Sequence, residues 1–188
     1  MIMKREIDFK FCLRLINNGP VVLIGTKGEA GFNAAPAAWS TPAKKDPPTV
    51  ALFVSPTHLT WENIEKMEQF TLNIPGENLV KETAFLGGVS GYKYPGKLEA
   101  CSMDAVKGKY TDAPIFPACL GHLECKLISM DKESHLITGE VVYALAEEEC
   151  FYNHWRIGKG ALPLHHLGGE FYECGGEEII QPRIKKWP

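Results

Sequence analysis

The stretch Val21-Val22-Leu23-Ile24-Gly25-Thr26, followed by the glycine-containing segment 27–31 and by Phe32 to Ala37, decides the fold class. Its first run is apolar and β-branched, which predicts a strand, and the glycines after it mark a turn. The second run predicts the partner strand of an antiparallel hairpin. Elsewhere, 18 glycines and 13 prolines divide the 188 residues into short segments. This spacing favours many short strands over long helices.

Four more strands follow from similar patterns. Thr49 to Ser55 is a continuous apolar run, which predicts a strand buried on both faces. Phe70 to Ile74 alternates apolar and polar side chains and predicts a shorter strand. The alternation from Leu123 to Leu127 and the β-branched run from Ile137 to Leu145 predict a long hairpin that turns at residues 131–134.

Two short helices interrupt the strands. Thr60 to Met67 predicts the first, with Thr60 as its N-cap. Glu77 to Leu86 predicts the second, with Gly87-Gly88 beyond its C-terminal end. The following stretch, from Gly87 to Tyr110, has little periodicity and many glycines, so we expect a functional loop there.

The expected fold is therefore mainly β, antiparallel, with a few short helices. A length of 188 residues predicts one domain spanning residues 1–188. A closed or partly closed barrel is the simplest arrangement, because closure removes exposed sheet edges. Periodicity alone does not separate a barrel from a sandwich.

Charge and composition exclude several classes of partner. A net charge of −3 gives no general attraction to nucleic acid, and the basic run Arg183, Lys185 and Lys186 is typical of a solvated end. We expect a cytoplasmic protein without membrane contact, because no stretch is long and apolar enough to span a bilayer and Lys4 and Arg5 occupy the place of a signal peptide's apolar core. The six cysteines lack any C-x-x-C pair, so we expect reduced, buried thiols, with Cys125 as the clearest case.

The segment from Asn33 to Pro42 is the first candidate ligand site. Its side chains are mostly very small, which lets a planar ligand approach the backbone, and Trp39 is the one large aromatic residue. Trp39 then covers or borders the ring of that ligand. The alternative is a tight bend in which Trp39 belongs to the core.

Two further segments could hold an anion. Residues 55–60 join a strand to a helix N-terminus, where backbone N–H groups bind phosphate. In the alternative, Thr60 only caps its own helix, and Glu62 would repel a dianion unless directed away. The glycine-rich stretch 87–97 offers Lys93 and Lys97, which are either anion contacts or ordinary surface lysines.

Histidines near the C-terminal end do not predict a metal site. His165 and His166 are adjacent, so in a strand they point to opposite faces, and the chain has neither H-x-x-x-H nor H-E-x-x-H spacing. We expect no metal, and His165 is the candidate for contact with a ligand. The sequence also lacks the Rossmann, P-loop and hydrolase-elbow motifs.

In this order, the segments resemble the flavin reductase-like FMN-binding split-barrel family, and within it the flavoredoxin branch. The resemblance covers about Pro20 to Tyr172, and it rests on the following landmarks: Asn33 to Thr41 with Trp39-Ser40-Thr41-Pro42, Pro47-Pro48, Thr60-x-x-Asn63-Ile64, Phe70-x-x-Asn73-Ile74, Ser90-Gly91-Tyr92-Lys93, Leu123-Glu124-Cys125, His135-x-x-x-Gly139-Glu140-Val141, and Pro163-Leu164 leading to Gly168-Gly169-x-x-Tyr172. The pair His165-His166 departs from the apolar or aromatic residues usual there.

The resemblance implies a homodimer with FMN near the subunit interface. It assigns residues to three parts of the cofactor site: Asn33, Trp39, Ser40 and Thr41 around the isoalloxazine; Ser55, Thr57, His58 and Thr60 around the ribityl phosphate; Lys93 or Lys97 as a cationic contact, with His135 approaching from the hairpin end. The implied function is an oxidoreductase that accepts hydride from NAD(P)H and passes electrons to an acceptor that the sequence does not name. Two alternatives stay open, an electron carrier without a nicotinamide site and a non-redox ligand-binding barrel.

Overall fold

The computed structural model describes residues 6–16, 18–156, 162–175 and 177–182, so the basic run at 183–186 lies outside the described residues. In those ranges the strands are β1 (Gly19–Pro20), β2 (Val22–Gly28), β3 (Gly31–Ala37), β4 (Ser40–Lys45), β5 (Pro48–Phe53), β6 (Gln69–Ile74), β7 (Val106–Lys107), β8 (Pro114–Ile115), β9 (Gly121–Asp131), β10 (Leu136–Ala146), β11 (His165–Gly168), β12 (Phe171–Cys174) and β13 (Glu177–Ile180). The helices are α1 (Leu59–Met67), α2 (Val80–Gly88) and α3 (Lys97–Ala100), with 3₁₀ turns at Phe9–Leu15 and Glu77–Leu79.

Seven strands form one antiparallel sheet in the order β3-β2-β6-β9-β10-β5-β4. Ile24 of β2 and Leu52 of β5 lie near opposite ends of this order, yet both belong to one buried cluster with Phe70, Ile137 and Trp61. A flat sheet could not bring them together, so the sheet curls around its core. In the described chain no ladder joins β3 to β4, and the barrel is therefore split at that seam. The expected mainly β, antiparallel fold class is confirmed.

The opposite face of β2 and β3 carries the second core. Leu23 and Ala34 pack there with Phe85, Leu86 and Phe116, all of them buried. Strand β2 is thus covered on both faces, which explains its uninterrupted apolar run. This packing places α2 against β3, next to the segment of small residues.

Both predicted hairpins are confirmed. Strands β2 and β3 turn at residues 29–30, and β9 and β10 pair from Asp131↔Leu136 to Gly121↔Ala146. The thiol prediction agrees with the structure, in which all six cysteines are free and five are buried. Cys125 is completely buried among β-strand residues.

Two helix boundaries differ from the sequence-based expectation. His58 is the N-cap of α1, whereas Thr60 is buried in the first turn and its hydroxyl oxygen accepts a hydrogen bond from Asn33 at 3.5 Å, so the N-cap prediction is wrong. Helix α2 runs through Gly88, so the glycine pair is not beyond its end. A Cβ on Gly87 would lie 2.8 Å from the Pro36 ring, and glycine therefore allows α2 to approach β3 closely.

The stretch 87–110 contains more regular structure than expected, namely α3 and β7. Its last turn is held by Glu124, whose carboxylate accepts the backbone N–H groups of Lys109, Tyr110 and Thr111 at 2.7–2.8 Å. Glu124 is one of the polar residues that alternate with apolar ones from Leu123 to Leu127, yet its side chain is almost fully buried. These charge-assisted hydrogen bonds make that burial possible.

A smaller sheet, β1-β11-β12-β13, lies beside the N-terminal end of β2. Its register pairs Gly19 with His166 and Pro20 with His165, and the N–H of Val21 donates to the carbonyl of Leu164. The histidine pair is thereby fixed beside the entry to β2. Within the described ranges, no helix combines the length and the apolar character that crossing a bilayer requires.

Candidate functional site

Two adjoining cavities form a cleft between β3, the N-terminal end of α1 and the C-terminal end of α2. The first, here called the lysine cavity, measures about 250 Å³. Its lining consists of Asn33, Ala35, Pro36, Thr57, His58, Leu59, Thr60, Leu86, Gly87, Gly88, Val89, Ser90, Gly91 and Lys97.

The second, here called the tryptophan cavity, measures about 260 Å³. Its lining consists of Ile24, Ala35, Pro36, Ala37, Ala38, Trp39, Phe53, Val54, Ser55, His58, Thr60 and His166. Because both cavities share Ala35, Pro36, His58 and Thr60, they are two ends of one cleft. Ligand sites typically measure about 300–1,000 Å³, so the joined cleft is large enough for an elongated ligand.

A buried cation lies at the lysine end. Lys97 is 2% exposed, and its ammonium donates to the carbonyl of Leu86 at 3.3 Å. Among the ion pairs of the described residues, none involves Lys97. Burial lowers the pKa of Lys97 to about 8, an effect that the nearby Cys101 thiol only partly opposes. A buried ammonium with one neutral partner creates a site that favours an anion.

The first turn of α1 faces the same cavity. Trp61 and Glu62 donate their N–H groups to the carbonyl of His58, so the N–H groups of Leu59 and Thr60 precede the first intrahelical bond. Such groups carry the positive end of the helix dipole and can donate to an anion. The backbone and the Lys97 ammonium therefore supply hydrogen-bond donors to one small space.

Glu62 does not oppose this arrangement. Its carboxylate accepts from Lys66 at 2.8 Å and from the Tyr92 hydroxyl at 2.6 Å, and it lines a neighbouring cavity instead of the cleft. These two partners, Lys66 first, hold the pKa of Glu62 below its usual value. The charge is thus neutralised outside the cleft, and the repulsion considered from the sequence does not arise there.

The tryptophan end has a different character. Trp39 is 46% exposed and meets Phe53 edge to face, with ring centroids 6.2 Å apart. The interpretation of Trp39 as a core residue is therefore wrong. The wall between Ala35 and Ala38 has only small side chains, so a flat ring can lie close to the backbone of β3.

Seven of the residues singled out in the sequence line the cleft: Asn33, Trp39, Ser55, Thr57, His58, Thr60 and Lys97. Asn33 lines the lysine end instead of the tryptophan end, because its amide donates to Thr26 and Thr60 beneath α1. Ser55 was expected near the phosphate, but it lines the tryptophan end.

Four other candidates do not line the cleft. Ser40 and Thr41 belong to β4, the outermost strand on one side of the sheet, and Thr41 is exposed. Lys93 is exposed in a turn closed by its N–H bond to Ser90. His135 lies exposed between β9 and β10 with φ of 61°, and its carbonyl accepts the N–H of Val54. As cofactor contacts, these four residues remain predictions.

The histidine pair divides as strand alternation requires. His166 lines the tryptophan cavity, whereas His165 does not and lies 3.5 Å from the carboxylate of Glu173. His166 is therefore the member of the pair placed at the cleft. In the described chain no group of three potential metal-ligating side chains occurs.

The contribution of the C-terminal end of α2 was not predicted from the sequence. Residues 86–91 line the lysine cavity, whereas the sequence pointed only to Lys93 and Lys97 in this stretch. Gly91 fits tightly, because a Cβ would lie 2.8 Å from both Asn33 and Leu59. The cluster of glycines was the available signal, since close approach of a backbone favours glycine.

Comparison with protein families matches residues 15–173 to the flavin reductase like domain. Among curated proteins, the uncharacterized protein YddH of Escherichia coli is 33% identical over 181 residues, which cover 92% of this chain and 95% of YddH. Among solved structures, the FMN-binding domain of a flavin reductases-like enzyme from Shewanella baltica is 26% identical with a TM-score of 0.80, covering 92% of this chain and 94% of that one.

The flavoredoxin of Desulfovibrio vulgaris (Miyazaki F) has the same fold, with 22% identity and a TM-score of 0.73 over 95% of this chain and 91% of its own. A component B of nitrilotriacetate monooxygenase from Bacillus cereus also shares the fold, with 19% identity and a TM-score of 0.75 over 95% of this chain and 98% of its own.

Proposed function

The chain belongs to the family of the flavin reductase like domain, and we propose that it binds FMN in the cleft and acts as an FMN-dependent oxidoreductase. One observation carries the proposal. The cleft has a buried cation and free helix N–H groups at one end, and a wall of small side chains bordered by an aromatic ring at the other. FMN has the matching polarity, with a phosphate at one end and a flat ring system at the other.

The lysine end fits the phosphate. Lys97 already bears the cost of burial, and a dianion beside its ammonium would offset that cost and raise its pKa. The N–H groups of the α1 first turn donate in the same space, and each hydrogen bond to a charged group contributes about 1.5–3 kcal/mol. Thr60 and Thr57 add hydroxyl groups at this end.

The tryptophan end fits the isoalloxazine. The small side chains from Ala35 to Ala38 leave the backbone of β3 accessible to the polar edge of a ring, and Trp39 borders the ring at the solvent side. Bound FMN supplies the hydride and electron-transfer chemistry. The residues of the chain hold and orient it, and they leave one side of the cavity open to a second reactant.

We further propose that NAD(P)H delivers hydride at this open end and that electrons pass to an external acceptor. The test is anaerobic rapid mixing of the FMN-loaded protein with NADH and, separately, with NADPH. If the protein is a reductase, the visible absorption of its flavin should disappear with at least one nucleotide. Retention of that absorption with both would reject nicotinamide-linked reduction.

A second function, electron carriage without a nicotinamide site, is favoured by one specific observation. His166 lines the tryptophan cavity, so its imidazole occupies space beside the region where a nicotinamide would stack. If neither nucleotide reduces the flavin while a small chemical reductant does, the carrier function is supported. A protein that retains no FMN at all would instead favour a non-redox ligand-binding barrel.

We also propose a homodimer. In the 3₁₀ turn Phe9–Leu15 and just after it, Phe9, Leu15 and Ile16 are between 70% and 88% exposed. Apolar surface of this kind favours association. Sedimentation equilibrium should give twice the monomer mass for the wild type and a smaller mass for Phe9→Ser/Leu15→Ser.

A further inference from the structure

A second pocket lies away from the cleft, at the end of the β9–β10 ladder where Gly121 pairs with Ala146. This aromatic groove measures about 450 Å³ and shares no lining residue with the cleft. Its lining includes His122, Ala144, Glu148, Phe151, Tyr152 and Trp155. Its walls are mainly apolar, and their polar groups include the His122 imidazole, the Glu148 carboxylate and the Tyr152 hydroxyl.

The aromatic wall has defined internal contacts. Phe151 and Trp155 pack edge to face with centroids 5.2 Å apart. The turn that carries them is tied to the barrel, because the N–H of Glu147 donates to Leu120, and it is closed by the bond from the N–H of Arg156 to Cys150. Cys150 is 2% exposed, so the turn has its own buried anchor.

The hydrogen-bond network fixes the tautomer of His122. The amide nitrogen of Asn73 donates to the carbonyl of Leu23 at 3.1 Å and to Thr71 at 3.0 Å, while its oxygen accepts the N–H of Phe116 at 3.1 Å. This oxygen is also 2.7 Å from Nδ1 of His122. Because an amide oxygen only accepts, Nδ1 must carry the proton. In the neutral ring, Nε2 is then a hydrogen-bond acceptor.

The acceptor nitrogen is available to a ligand. The His122 ring is 5% exposed and lines the groove, and the described residues provide no hydrogen-bond partner for Nε2. Burial lowers the pKa of His122, although the carboxylates of Glu147 and Glu124 oppose this effect. The imidazole is therefore neutral at pH 7. Within the described chain, Nε2 is not among the fully buried polar atoms that lack a partner, so it is accessible and can accept a hydrogen bond from a donor group on a ligand.

We propose that the aromatic groove binds a flat, neutral aromatic molecule that carries one O–H or N–H donor, of which phenol is the simplest. The donor bonds to Nε2 of His122, and the ring packs against Phe151, Tyr152 and Trp155. The carboxylate of Glu148 in the lining disfavours an anionic aromatic such as benzoate. This site is separate from the cleft, and its occupancy does not depend on FMN.

The test compares phenol, anisole and benzoate on the FMN-loaded wild type, with the ¹⁵N resonances of labelled histidines as the readout. Phenol should saturate, shift the Nε2 resonance of His122, and bind about five- to tenfold more tightly than anisole, which lacks the donor. Benzoate should bind more weakly than either. Equal affinities for phenol and anisole, or a failure of phenol to saturate, would overturn the proposal.

Two exposed positions provide matched variants. Ala144 lines the groove, so Ala144→Trp should fill it and abolish the phenol-induced shift. Ile128 is 54% exposed outside the groove, so Ile128→Trp should leave the shift unchanged. FMN affinity should be the same in both variants. A failure of this proposal can therefore be distinguished from a failure of the proposed FMN site. A groove covered by a second copy of the chain would show shifts that follow protein concentration instead of phenol, and that result would also overturn the proposal.

Discussion

The two ends of the cleft are similar in volume but differ in how they are built. The lysine end combines a buried ammonium, the first turn of α1 and glycine-rich backbone from α2, whereas the tryptophan end has small apolar walls and a half-exposed indole. The first end concentrates charge and donors in a small buried space. The second leaves a ring face accessible. We infer that binding energy comes mainly from the lysine end and reactivity from the tryptophan end.

The largest expected effect concerns the charge at the lysine end. The pKa of Lys97 is lowered from 10.5 to about 8, so keeping it charged below pH 8 costs the FMN-free fold up to about 3 kcal/mol. The unfolded chain binds the extra proton between pH 8 and 10.5, so stability should rise over that window. Lys97→Met should remove both the cost and this pH dependence.

Urea unfolding of the FMN-free protein at pH 7 and pH 10 measures this effect. The free energy of unfolding of the wild type should increase relative to that of Lys97→Met as the pH rises. Lys93→Met is the matched control, because Lys93 is exposed, and it should behave as the wild type. If the free energy of unfolding had the same pH dependence in the wild type and in Lys97→Met, the assignment of a destabilising buried ammonium would be contradicted.

The second prediction separates anion binding from ring binding at Thr60. Thr60→Val keeps the shape of a buried side chain but removes its hydroxyl, so FMN should bind about tenfold more weakly while riboflavin, without the phosphate, changes little. Fluorescence titration gives both constants. Equal weakening of the two ligands would show that Thr60 serves the helix and not the phosphate.

Thr83→Val is the control for that substitution. Thr83, on α2, is equally buried and does not line the cleft, and its hydroxyl has no hydrogen-bond partner among the described residues. FMN affinity should therefore be unchanged in this variant.

The third prediction addresses the tryptophan end. Trp39→Ala removes an aromatic border of the proposed ring site, for which a contact contributes about 0.5–1.5 kcal/mol. FMN and riboflavin should both bind about fivefold more weakly, because both have the ring. Loss of FMN alone would place Trp39 near the phosphate and reverse the assignment of the two ends.

The smallest effect is expected for His165. It lies beside Glu173 and does not line the cleft, so His165→Ala should change the rate of flavin reduction by less than about twofold. His166→Ala, which alters the cavity itself, should change that rate more. Stopped-flow measurement of flavin reduction gives the rate for both variants. A larger change for His165→Ala than for His166→Ala would show that His165, and not His166, acts at the site.

The sequence predicted the contacts at the lysine end better than those at the tryptophan end. Thr57, His58, Thr60 and Lys97 line the lysine cavity as expected, whereas Trp39 is the one residue expected around the ring that lines the tryptophan cavity.

The tryptophan end comes largely from one contiguous run, Ala35 to Trp39, whose small side chains are visible in the sequence. The lysine end joins segments around Asn33, Thr60, Leu86 and Lys97, and their proximity depends on the packing of α2 against β3.

Other differences have the same origin. Glu124 alternates with apolar residues but is buried, because backbone N–H groups 13 to 15 residues away reach its carboxylate. The choice between His165 and His166 depends on the face of β11, which the pairing of β1 with β11 determines. Local patterns predicted the hairpins, whereas contacts between distant segments determined these positions.

The most direct test of the account is a comparison of FMN and riboflavin binding to the wild type by fluorescence titration. Two or more charge-assisted bonds at the lysine end predict that FMN binds at least about 100-fold more tightly than riboflavin. Lys97→Met should abolish most of that difference in affinity between FMN and riboflavin. Equal affinities for FMN and riboflavin would contradict the assignment of the lysine end as the phosphate site.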